Sequence, residues 1–143
     1  MPTKVEAKVV QIKGVTFSGL SDSGHWVPMD GPRQFGGSDA AIRPKELLLL
    51  SLAGCTGSDV ASIMDKMREP YTRLEVHVDA EQTDVHPKVY SKIHLTFKVW
   101  GDGIKEANLQ KAIQLSSETY CGVTAMLRNS VEITESYEIN PAE

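Results

Sequence analysis

The chain has 143 residues, in which 15 Lys and Arg face 19 Asp and Glu for a net charge of −4. That length suits one compact domain over residues 1–143, large enough to bury roughly two-thirds of its unfolded surface without disulfides. The acidic balance, with no long Lys/Arg run, excludes a phosphate-tracking surface and so argues against nucleic acid as a partner.

The opening MPTKVEAKVV lacks the apolar stretch of a secretory signal, and the longest apolar run, Leu47 to Leu50, is far short of a membrane span. The protein is therefore expected in the cytoplasm. Within that opening, Val5, Ala7 and Val9 alternate with Lys4, Glu6 and Lys8, the period of a strand with one buried face. Turn signals at Lys13-Gly14 and Ser21 to Gly24 separate short strands at Val15–Ser18 and His25–Met29, predicting a small antiparallel meander. DGPRQFGGSDAAIR, Asp30 to Arg43, is a Gly/Pro-rich loop of the kind that borders binding sites.

Pro44 suits a first helical turn, where its missing N–H costs nothing, and the helix is expected to end at Pro70. Beyond it, Leu74, Val76 and Val78 and then Ile93, Leu95, Phe97 and Val99 mark two half-buried strands around an Asp/His/Pro turn. A second helix is predicted over Lys105–Tyr120, with Leu109, Ala112, Ile113 and Tyr120 on one face. Gly122 bends or breaks it, VTAMLRN makes another short turn, and VEITESYEI alternates as a closing strand.

In the first helix, Leu47 to Leu50 and Leu52 cover most of the circumference, so it is expected to be buried all round. One sheet covers one side only, and the other side calls for a second copy of the chain, hence a homodimer. Ala53, Gly54, Gly57 and Ala61 leave room for another backbone or for the sheet. A mid-helix glycine costs about 0.5–1 kcal/mol relative to alanine, which close approach would offset.

Cys55 has two readings. It is an inert buried thiol, or, with Ser51, Ser58 and Asp59 within a turn on its side of the helix, it lines a pocket. Cys121 sits at a helix end beside Gly122, where backbone freedom lets its sulfur meet another. Two thiols remote in sequence but close in space suit a peroxidatic and resolving pair: a thiolate attacks the O–O bond, and the second thiol condenses with the sulfenic acid to a disulfide. No local spacing brings two metal ligands together, and His25, His77, His86 and His94 fall in turns or on outward strand faces, so neither metal nor cofactor is expected. Walker, dinucleotide and nucleophile-elbow motifs do not occur.

RPKELLLLSLAGCTGSDV and SSETYCGVTAMLRNSVEIT, with GG upstream and the order strands, long helix, strands, helix, strand, resemble the OsmC family over essentially the whole chain. The resemblance implies an α+β fold with antiparallel sheets wrapped around long central helices in an intertwined homodimer, with sites at the subunit interface. It implies thiol-dependent reduction of organic hydroperoxides or related peroxides, Cys55 reacting and Cys121 resolving, with an external thiol or a lipoyl-type dithiol as reductant. The family glutamate that follows proline is Lys45 here, and the nearest carboxylate is Glu46. Glu46 acts across the dimer or is a first-turn carboxylate favoured by the helix dipole. The family arginine has no clean match; Arg33 and Arg43 are the candidates, Arg33 being freer to reach a pocket. An arginine would lower the Cys55 pKa, whereas Asp59 and burial would raise it, and the net sign is open. The competing reading is a non-enzymatic homodimer that binds an apolar small molecule, or a redox sensor.

Overall fold

A computed structural model describes residues 1–143. The element order is β1 (Ala7–Lys13), β2 (Thr16–Ser21), β3 (Trp26–Met29), α1 (Glu46–Lys66), β4 (Arg73–Gln82), β5 (Tyr90–Trp100), α2 (Glu106–Leu115), α3 (Gly122–Leu127) and β6 (Glu132–Ile139). It is an α+β arrangement with two separate three-stranded sheets. The chain falls into two compact units, Met1–Leu48 and Leu49–Glu143.

In the first unit β1, β2 and β3 pair in sequence order, each antiparallel to the next, as the expected meander. The buried face expected of the first strand does not form within the chain, since all seven residues of β1 are exposed. The loop that follows is organised by Asp30, which is fully buried. Its carboxylate accepts from the N–H groups of Gly31, Ser38 and Ala40 and from the Thr16 hydroxyl. Burial alone would push this carboxyl up, but those donors outweigh it and hold the pKa below the ordinary value.

The second unit has β5 at its centre, antiparallel to β4 and parallel to β6. Its alternation works as the sequence predicts. Ile93, Leu95, Phe97 and Val99 are buried on one face, packed with Leu52, Val60 and Met64 of α1 and Leu109, Ala112 and Ile113 of α2. The opposite face is polar: His94 hydrogen-bonds Thr134 and Ser136 on the neighbouring strand.

Helix α1 differs from its sequence reading in two respects. The stripe Leu52, Thr56, Val60, Met64, spaced i, i+4, is its buried face, while Leu48 and Leu50 remain 46% and 55% exposed, so the helix is not covered all round within one chain. By length and composition α1 is apolar enough to cross a bilayer, which the short leucine run alone did not suggest. It also stops at Lys66, before Pro70. The Glu69 N–H bonds the Met64 carbonyl and the Arg68 N–H bonds the Asp65 carbonyl, a Schellman closure with Arg68 left-handed at φ 58°. Glu69, brought inward by that turn, accepts from the Lys105 N–H and from Asn108 at the start of α2. A Cβ at Gly57 would stand 3.2 Å from the Val76 side chain of the sheet, so the smallness of this residue serves the chain's own packing; a Cβ at Gly54 would meet nothing within 4 Å.

The predicted second helix is shorter than expected. Its α-helical part ends at Leu115, and Ser116–Tyr120 form a π-helical turn. Gly122 opens α3 rather than merely ending α2.

Candidate functional site: a pair of thiols with a carboxylate

Cys55 and Asp59 are four residues apart on α1, so they share a face of that helix one turn apart. Cys121 comes from the other side of the sequence. The π-helical turn ends with the Cys121 N–H on the Ser116 carbonyl, 2.8 Å, and Cys121 itself is extended, with φ −75° and ψ 104°. The wider turn inserts a residue into the helical count and re-aims the side chain that follows it, a device frequent at functional sites. As a result the donor atoms of Cys55, Asp59 and Cys121 all lie within 4.8 Å of one another.

The two sulfurs hydrogen-bond each other, and each also receives a backbone N–H: Val123 to Cys55, and Thr124 to Cys121 at 3.4 Å. Cys121 is 3% exposed and Cys55 is half-buried, so Cys55 is the sulfur that solvent reaches more readily. The Ser116 hydroxyl donates to Asp59 Oδ2 at 2.9 Å. A hydroxyl has one proton to give, so the Thr56 hydroxyl, 2.8 Å away, must be the donor to Ser116. Beside Asp59 a cleft of about 360 Å³ is lined by Ser62, Ile63, Lys66, Leu115 and Tyr120.

These contacts settle the direction of the Cys55 pKa within the chain. Burial pushes it up, the hydrogen bond and charge of Cys121 and the charge of Asp59 push the same way, and only the Val123 N–H opposes them.

The structure thus brings together two of the four residues assigned to the site from sequence. The other two lie in the Met1–Leu48 unit. Glu46 accepts from the Arg43 N–H at 2.9 Å, which satisfies a free donor at the start of α1. Within one chain this is the contact of a first-turn carboxylate. Arg43 is paired with Asp39 at 2.6 Å and with the Ala41 carbonyl. Arg33 sits in a 3₁₀ turn, Arg33–Phe35, with its side chain exposed. Ser58 does not line the thiol site; its hydroxyl donates back to the Gly54 carbonyl on an exposed stretch. Thr56 and Ser116 belong to the site's polar network and were not singled out in sequence. The one available signal was Thr56 standing in an otherwise apolar i, i+4 stripe.

Fold and site together define an α+β protein whose long helix presents a thiol and a carboxylate to a second thiol. Residues 36–136 match the sequence profile described as OsmC-like protein. The chain is 38% identical to Protein YhfA of Escherichia coli K12 over 135 residues, covering 94% of this chain and 98% of that one. It superposes on a hypothetical protein from Aquifex aeolicus with a TM-score of 0.84 at 27% identity, covering 99% and 100% of the two chains. An organic hydroperoxide resistance protein from Elizabethkingia anophelis shares the fold, with a TM-score of 0.72 at 15% identity over 98% and 99%. The chain belongs to the OsmC-like family.

Proposed function

We propose that the protein is a peroxide-related stress protein acting as a thiol peroxidase. The observation that carries this reading is the hydrogen-bonded contact between Cys55 and Cys121, which needs no large backbone movement to become a disulfide. The Cys55 thiolate attacks the distal peroxide oxygen, the O–O bond breaks, and the alkoxide leaves and takes a proton as alcohol. Cys121 then attacks the sulfenic acid, forming the disulfide and releasing water. An external thiol or dithiol returns both electrons by thiol–disulfide exchange. Membership of the OsmC-like family supports the assignment.

Burial, Cys121 and Asp59 favour the protonated Cys55, and a cation beside the sulfur would favour the thiolate. We assign that task to the exposed Arg33 of a second copy in a homodimer, with Glu46 of that copy in support. The uncovered Leu48, Leu50 and β1 support such an assembly. The test is mass spectrometry after a stoichiometric hydroperoxide pulse. Wild type is expected to lose two hydrogens, and Cys121→Ser to gain one oxygen. A wild type that neither loses them nor consumes hydroperoxide with a dithiol reductant would refute the reading.

The raised Cys55 pKa specifically favours a second reading, a non-enzymatic dimer whose pocket binds an apolar small molecule. Alkylation rates against pH separate the two. A peroxidase Cys55 in the assembled protein reacts as a thiol with pKa below about 8.5, and an inert one barely reacts.

A further inference from the structure

We propose that Cys55, Cys121 and Asp59 form a binding site for one thiophilic divalent cation, with Zn²⁺ as the ion. The proposal does not depend on peroxide chemistry. Two sulfurs and a carboxylate oxygen are a donor set that zinc takes, in tetrahedral geometry with Zn–S near 2.3 Å and Zn–O near 2.0–2.2 Å, which sets neighbouring donors about 3.5–3.8 Å apart. Here all three donors lie within 4.8 Å of one another, so closing around an ion asks for movements of at most about 1 Å in three side chains.

The surroundings have the character of a metal ligand's supporting contacts. Ser116 donates to Asp59 Oδ2 and thereby orients the carboxylate, and Thr56 fixes the Ser116 hydroxyl in turn. Backbone N–H groups of Val123 and Thr124 point at the two sulfurs, which steadies thiolates without competing for the ion. The carboxylate is engaged by a neutral hydroxyl rather than by a cation, so its charge is available to a divalent ion. Asp59 also lines an open cleft with Ser62, Ile63, Lys66, Leu115 and Tyr120, so the carboxylate edge of the cluster is open to solvent. Three protein ligands leave the fourth tetrahedral position to water.

Metal and disulfide exclude each other on these sulfurs. With zinc bound, a peroxide that accepts two electrons from the two thiolates and two protons from solvent leaves as alcohol and water. The sulfurs join and the ion is released.

The experiment uses the reduced full-length chain, kept anaerobic, with Zn²⁺ titrated against a chromophoric chelator and the loaded protein examined by X-ray absorption. One zinc per chain is expected, with two sulfur and lighter oxygen neighbours. Cys121→Ser and Asp59→Asn each weaken binding at least about tenfold, Ser116→Ala by about 10–100-fold, and Asp65→Asn, on the same helix outside the cluster, leaves it unchanged. Disulfide-oxidised wild type, whose fold needs no substitution, binds none. Binding below one ion per chain, or full affinity retained in Asp59→Asn or in the oxidised protein, overturns the site. Because no peroxide is present, a chain that consumes hydroperoxide but takes up no zinc overturns this site alone.

Discussion

The two sheets use the same alternating pattern, and they end in different states. On β5 every second residue from Ile93 to Val99 is buried beneath α1 and α2, whereas on β1 Val9, from the face expected to be covered, stays 60% exposed. Alternation encodes two faces, but the covering helices decide whether a face becomes a core. Within the Leu49–Glu143 unit that cover comes with its own fastening, since the Schellman turn at the end of α1 delivers Glu69 to the start of α2.

Substitutions can break or sharpen this contrast. Phe97→Ala empties the centre of the covered face and is expected to cost about 3–5 kcal/mol in chemical denaturation, the largest effect. Glu69→Gln comes next. Charge-assisted hydrogen bonds are worth about 1.5–3 kcal/mol, and the neutral amide loses most of that. The Lys105 N–H and Asn108 hold the Glu69 carboxyl below its ordinary value, so its contribution is present above the unfolded value of about 4.3 and is lost as pH falls through the lower folded one. Thermal scans from pH 7 downward should therefore show the wild-type advantage over Glu69→Gln shrinking only below that point. A constant gap would remove the carboxylate from the fastening.

Arg68→Gly relieves a left-handed residue and should raise stability by about 1 kcal/mol, read as a higher denaturation midpoint at unchanged slope. Val9→Ala should move stability by less than about 0.5 kcal/mol. A loss approaching that of Phe97→Ala would mean that β1 is covered after all and would break the comparison.

Much of this was legible in the sequence where periodicity and local chemistry agreed, as in β5, in the meander, and in Pro44 at the helix start. The stop of α1 was not, because its Schellman turn uses Arg68 where glycine is the usual signal, and Pro70 drew the boundary too late. Cys55 and Cys121 were found through their motifs, but the Thr56–Ser116–Asp59 network was hidden. Its members lie 60 and 57 positions apart, and only the π-helical turn brings them into register. Sequence spacing likewise could not show three ligating atoms together when one of them arrives from a different element.

The parallel pairing of β6 with β5 carries a consequence for biogenesis. Parallel neighbours require a long crossover, and here that crossover contains α2, the π-helical turn and α3, so the last strand docks only once all of them have been threaded across. Such non-local closure comes late in folding. A nascent polypeptide still lacking its final strand thus leaves one edge of β5 unpaired, and Ile133, Tyr137 and Ile139 are among the last side chains to reach the core they pack against.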